Sequence, residues 1–214
     1  MIKSCVIGLS KIGQIHCNNL KKIKITSLNF VYDKDQTLRN NAAKKFKCQT
    51  SNNFEEILRN KEIELFIIAS PTTTHEYYLN KLIQYKKIIY CEKPISLNAS
   101  KLNSLVKRIK SKKIKICIGL NRRFSDAYIK MKKLIKNKKV KIIQIISRSS
   151  NANVLQSVRN GGLFMDKGFH FFDLACWFAN SLPNKIITIA NPLSTREFLK
   201  NNDYSDAVIN MKLK

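Results

Sequence analysis

The chain has 214 residues, 40 Lys+Arg against 14 Asp+Glu, a formal net charge of +26 and 44% hydrophobic residues. That length suits one full α/β domain plus part of another, and recurring apolar blocks with only 6 Gly and 4 Pro exclude a disordered chain. No apolar run approaches the ~20 residues that span a bilayer and the first residues are too short for a secretory signal, so a cytoplasmic protein without a membrane partner is expected.

Apolar stretches alternate with helix-period stretches from the first residue on, the pattern of parallel βαβ units. Strands are predicted near 2–8, 27–33, 64–69, 87–91 and 114–118, and helices near 11–21, 35–46, 54–59, 73–85 and 98–111. The strands are short continuous apolar runs such as Leu65-Phe66-Ile67-Ile68-Ala69, as expected where both sheet faces are covered. Ser96 and Asn98 stand where the last of these helices needs a cap. Beyond Gly119 the character changes. A helix near 125–137 leads to a strand over Val140–Ser149, a polar loop over 150–160 and a helix near 165–179. Two more strands follow, Lys185–Ala190 and Ala207–Leu213. The expected architecture is a parallel Rossmann sheet over 1–119, then a partial α+β open-sheet domain over 120–214.

Charge alone names no partner. Lys, Ile and Asn contribute 32, 28 and 22 residues and Arg only 8, whereas arginine is the usual choice for bidentate phosphate and guanine contacts. The lysines also recur at helical surface spacing, so the charge reads as a solvated surface and nucleic acid is not the expected partner. The six cysteines are scattered without a C-x-x-C pair or a histidine cluster, so reduced thiols and no metal site are expected.

Chemistry enters at the end of the first strand, Gly8-Leu9-Ser10-Lys11-Ile12-Gly13. Glycines at such a strand-to-helix turn admit a dinucleotide pyrophosphate, and the helix N-terminus offers free N–H groups and a positive dipole end. Ser10 replaces the second glycine of the fingerprint, so the phosphate-approach position carries a side chain. Asp33 closes the second strand 20 residues beyond Gly13, where a carboxylate accepts bonds from the adenosine ribose hydroxyls and repels a 2′-phosphate. NAD is therefore expected over NADP. The bland alternative is that Asp33 caps the next helix.

Four further blocks carry a family resemblance: Ala69-Ser70-Pro71-Thr72-x-x-His75, Cys91-Glu92-Lys93-Pro94, Gly119-Leu120-Asn121-Arg122-Arg123-Phe124, and Gly161-Gly162-Leu163-Phe164-x-Asp166-x-x-x-His170-x-x-Asp173. In this order and spacing the chain resembles the glucose–fructose oxidoreductase and inositol 2-dehydrogenase family of NAD(P)-dependent oxidoreductases, nearest its inositol dehydrogenase branch. The resemblance implies oxidation of a polyol or sugar hydroxyl. It implies Lys93, Asp166 and His170 as the catalytic trio and Arg122 as a substrate contact, while Asp173, one turn after His170, either binds substrate or supports the helix. It adds Ser70, Pro71, Thr72, His75, Glu92 and Lys93 to the cofactor residues Gly8, Ser10, Lys11, Ile12, Gly13 and Asp33, His75 either lining the cofactor side or capping local backbone.

The residue types suit that chemistry. Oxidising a secondary alcohol needs a base for the hydroxyl proton, and Asp166 four residues before His170 lets a carboxylate orient an imidazole from the same helix face. Lys93, at the C-terminal end of a strand, can hydrogen-bond the substrate oxygen. Members of the family run well beyond this length and form homo-oligomers. The expectation is thus of a shortened second domain of at most three strands, lacking most of the oligomer interface. The alternative is a non-catalytic nucleotide-binding or interaction protein that keeps the fold.

Overall fold

The computed structural model describes residues 1–136, 139–149 and 154–214. Two compact units divide the chain, Met1–Gly119 and Leu120–Lys214.

The first unit strings β1 (Ile2–Ile7), α1 (Lys11–Lys22), β2 (Thr26–Tyr32), α2 (Gln36–Phe46), β3 (Gln49–Thr50), α3 (Phe54–Arg59), β4 (Leu65–Ile68), α4 (Thr72–Gln84), β5 (Ile88–Cys91), α5 (Ala99–Ser111) and β6 (Ile116–Ile118). All strand pairs are parallel, in the order β3-β2-β1-β4-β5-β6. Alternate strand residues feed the two faces: Val6 and Ile67 pack with Cys17 and Leu20 of α1 and Ala42 and Phe46 of α2, while Ile7 and Ile68 pack with residues of α3, α4 and α5. Strand order reverses at β1, between β2 and β4, so the crevice for a ligand opens at the C-terminal ends of those strands. This is the expected Rossmann sheet. The two-residue β3 lay below what periodicity detects.

Capping residues set where helices begin. The Asp35 carboxylate accepts from the N–H groups of Thr37 and Leu38, and Asn98 Oδ1 accepts from Lys101 N at 3.0 Å. Ser96 Oγ accepts from Asn98 N at 2.9 Å, so both residues expected at that cap serve it.

In the second unit a 3-10 turn (Asn121–Phe124) precedes α6 (Asp126–Leu134), β7 (Ile142–Arg148), α7 (Val154–Arg159), a π-helical stretch (Leu163–Gly168), α8 (Phe169–Ala179), β8 (Pro183–Asn191), α9 (Arg196–Lys200) and β9 (Asp206–Leu213). The strands form an antiparallel sheet ordered β7-β9-β8. Ile145, Ala207, Ile209 and Met211 pack one face against Leu163 and Ala175. On the other face Ile146, Ile187 and Ile189 are exposed.

Two expectations are corrected here. The polar loop over 150–160 contains a helix, α7, whose Val154 and Ser157 are buried at a three-residue spacing that puts them on one face. Residues 150–153, including Ser150 of the expected loop, lie outside the described residues, as do Lys138 and Asn137, the last residue of the helix expected over 125–137. The helix expected near 165–179 is α-helical only from Phe169 and begins with a π turn. Gly162 enters that turn at φ +70°, where a Cβ would lie 2.3 Å from Asp203 Oδ1.

Candidate active site

The Gly8–Gly13 turn is built by exclusion of side chains. Gly8 has φ +88°, and a Cβ on it would sit 2.4 Å from Ser70 N; a Cβ on Gly13 would sit 1.8 Å from Gly8 O. The turn after β1 therefore lies against the turn after β4, at the point where strand order reverses. Ser10 is the N-cap of α1 but makes no side-chain cap bond, and its side chain is exposed with those of Lys11 and Ile12. The first-turn N–H groups of α1 have no intrahelical acceptor by geometry, which leaves them and the Ser10 hydroxyl facing outward as donors.

Asp33 fastens this turn. Its Oδ2 accepts from Leu9 N at 2.7 Å and its Oδ1 from Asp35 N at 3.0 Å. The cap of α2 is Asp35, so Asp33 is not a helix cap. The buried Arg39 guanidinium donates to the Asp33 carbonyl at 2.9 Å, holding the tip of β2 from below.

Ser70, Pro71 and Thr72 make the turn into α4, where the Thr74 hydroxyl donates to Ser70 Oγ at 2.7 Å. His75, only 1% exposed, spans two turns: Nδ1 lies 2.8 Å from Pro94 O and Nε2 2.8 Å from Ser70 O. It straps the segment after β5, which carries Lys93, to the segment after β4. Lys93 is half-buried just past the end of β5. Its neighbour Glu92 accepts from His16 of α1, with Nε2 2.8 Å from Oε1. Gly119 packs close to the same carboxylate, with a Cβ there coming 2.8 Å from Glu92 Oε2. Burial and the nearby Glu92 charge push the Tyr90 hydroxyl up to about 12.

In the second unit Asp166 lies in the π stretch and His170 in the first turn of α8, both half-buried, with the Lys167 ammonium 3.8 Å from Asp166. π turns recur at functional sites. Asp173, one turn on, is gripped by the Arg123 guanidinium through two hydrogen bonds, the one from Nε at 2.7 Å. That pairing holds the Arg123 guanidinium above its usual range. Arg122 stacks on Phe171 at 4.3 Å from the ring centroid. Both arginines of the 3-10 turn thus meet α8.

His16, Arg39 and Arg123 escaped the sequence reading. His16 and Arg39 belong to no motif, and Arg123, although inside the Asn121–Phe124 block, carries no expected role. Only His16, three residues past Gly13 on α1, left a usable trace: a histidine close behind a nucleotide turn. Among the described residues no helix is long and apolar enough to cross a membrane, and no cluster of three His, Cys, Asp or Glu could hold a metal.

A parallel sheet with a glycine turn at its switch point and a carboxylate closing β2 defines a dinucleotide-binding protein. The family model for the oxidoreductase family with the NAD-binding Rossmann fold (Gfo/Idh/MocA) matches residues 2–120, and the chain belongs to that family. It is 28% identical over 214 residues to the myo-inositol 2-dehydrogenase of Thermotoga maritima, covering 98% of this chain and 64% of that protein. Against the inositol 2-dehydrogenase of Rhizobium meliloti it is 26% identical over 208 residues, covering 95% and 63%. A crystal structure of scyllo-inositol dehydrogenase from Lactobacillus casei, with bound NAD(H) and scyllo-inositol, matches in fold with a TM-score of 0.87 at 23% identity, covering 100% of this chain and 66% of that one. The chain spans less than two thirds of the length of the two curated relatives.

Proposed function

We propose that this protein is an NAD-dependent dehydrogenase that oxidises a secondary hydroxyl of a polyol or sugar, with an inositol as the first candidate substrate. In this reading residues 1–119 hold the cofactor and residues 120–214 belong to the substrate domain. The observation that carries it is the bond from Leu9 N to Asp33 at 2.7 Å, which ties the glycine turn to the carboxylate that selects the ribose.

The residues fit the cofactor. The cradle at Gly8 is one that a Cβ would fill, and outward N–H groups at the start of α1 suit a pyrophosphate. Asp33 would accept from the ribose hydroxyls and disfavour a 2′-phosphate. Gly8, Ser10, Lys11, Ile12 and Gly13 would line the phosphates, and Ser70, Pro71, Thr72, His75 and Glu92 the remainder of the site. NAD, when bound, supplies the hydride acceptor. Lys93 donates a hydrogen bond to the substrate oxygen and steadies charge growing there. His170 takes the hydroxyl proton, with Asp166 four residues before it. Arg122 is a substrate contact in this reading; Asp173, already held by Arg123, would meet substrate only through its remaining acceptor capacity.

Calorimetry of NAD and NADP binding, paired with NAD reduction over a panel of inositols and sugars, tests the proposal. NAD is expected to bind more tightly than NADP, with Asp33→Ala narrowing the gap. Tighter NADP binding overturns the Asp33 assignment. Ser10, a side chain on the phosphate approach, favours a second reading, a nucleotide-binding protein without turnover. NAD binding with no reduction on any polyol would select it.

A further inference from the structure

In a parallel βαβ array every helix C-terminus and every strand N-terminus lies at the same end, here the end opposite Gly8 and Asp33. That end is densely cationic. The last turns of α1, α2 and α5 carry Lys21, Lys22, Lys44, Lys45, Arg108 and Lys110. Cations there complement the helix dipoles, but the excess continues beyond the helices. The pentapeptide Lys-Lys-Ile-Lys-Ile occurs twice, at 21–25 from the last two residues of α1 toward β2 and at 112–116 from the end of α5 into the first residue of β6. The copies are neighbours: Ile23 of the first and Lys115 and Ile116 of the second line one groove, floored by Leu65, Ile67 and Ile88. Lys22, Lys24, Lys112 and Lys115 are exposed, and Ile23 and Ile25 stand among them 47% and 68% exposed. The acids at this end are Glu62 and Glu64, and Glu62 is paired with Lys3 at 2.9 Å.

We propose that this end of the first unit is a docking surface for an anionic lipid bilayer, with the lysines on headgroup phosphates and Ile23 and Ile25 in the interfacial layer. Such a surface departs from the expectation of no membrane partner, which rests on the lack of a spanning segment; lying on a membrane differs physically from spanning one and needs no apolar helix. Aliphatic side chains interleaved with lysines favour a bilayer over a nucleic acid, whose backbone offers them no apolar partner. Base stacking would call for exposed rings, and among the exposed aromatic residues only Tyr77, within α4, belongs to the first unit. The surface is independent of the dehydrogenase reading.

The test is flotation of the full chain with vesicles of phosphatidylcholine alone or with about one third phosphatidylglycerol, at ~0.1 M salt and above. Binding is expected to the anionic vesicles only, weakening as salt rises. The variant K22E/K24E/K112E/K115E should bind about 100-fold more weakly or worse, and Ile25→Asn about tenfold more weakly. The variant K130E/K185E/K200E/K212E makes the same charge change in the second unit and should lose less than about threefold. Thermal unfolding midpoints confirm that each variant is folded. Equal losses in the two charge variants would assign binding to net charge and overturn the proposal. So would an Ile25→Asn protein that floats like the parent, or duplex DNA that displaces the protein from vesicles with a steep salt dependence.

Discussion

His16 Nε2 lies 2.8 Å from Glu92 Oε1 although the residues are 76 positions apart. The contact joins α1, the helix behind the glycine turn, to the segment that carries Lys93. Both side chains are largely shielded, so the bond counts for more than an exposed pair. His16→Ala is expected to cost about 1–2 kcal/mol in urea unfolding, with Glu92 left under-satisfied. It should also weaken NAD binding, because Glu92 loses its anchor. His16→Gln, which can still donate, should recover most of both.

Gly8→Ala forces a side chain into a φ of +88° with backbone atoms 2.4 Å away. Neither Ser70 N nor its neighbours can swing aside as a flexible side chain could. A loss of roughly 2 kcal/mol or more is expected by thermal denaturation, with NAD affinity falling further than stability alone explains. Ser10→Gly, by contrast, removes an exposed side chain and should tighten NAD binding. Weaker binding in that variant would show that the serine hydroxyl is itself a phosphate ligand.

His75→Ala removes the ring N–H that donates to one of the two carbonyls, Ser70 or Pro94, and opens a void at a residue 1% exposed. The expected cost is about 2–4 kcal/mol. Phenylalanine fills the void but cannot donate, so His75→Phe should recover only part of it.

Arg123 and Asp173 belong to separate elements 50 residues apart, with the Asp173 side chain 11% exposed and that of Arg123 38%. A double-mutant cycle to alanine should give a coupling of about 1 kcal/mol, reduced from a fully buried value by solvent at the guanidinium. If Asp173 serves chiefly to hold α8, the single variants should lower stability while leaving NAD affinity unchanged.

Alkaline pH should destabilise the first unit. Burial pushes the Cys17 thiol up to about 12 and the Cys48 thiol up to about 11, while Tyr90 is raised to about 12 by burial and Glu92. The folded state thus retains protons that the unfolded chain releases above about pH 8.5 for cysteine and about pH 10 for tyrosine. Their contribution is complete below that range and is lost as pH rises toward the folded values. A lower urea midpoint at pH 10 than at pH 8 is expected. At neutral pH a thiol reagent should label the exposed Cys117 well before Cys5, Cys17 or Cys91.

The sequence by itself determined the parts whose causes are local. Continuous apolar runs made β4 and β5 legible, because a strand covered on both faces carries that signature in a few residues. Gly8 and Gly13 were legible because a tight strand-to-helix turn excludes a Cβ at fixed offsets, and Asp33 because it ends a recognisable strand. Tertiary structure alone decided what depends on distant segments meeting. Nothing local to Ser157 announced its burial on α7, and a two-residue strand such as β3 exists only because Phe30 and Val31 are there to pair with it. The same holds for His16 with Glu92 and Arg123 with Asp173. A side chain's hydrogen-bond partner is chosen by packing across the fold, and residue type and spacing along the chain do not encode which of many candidates arrives there.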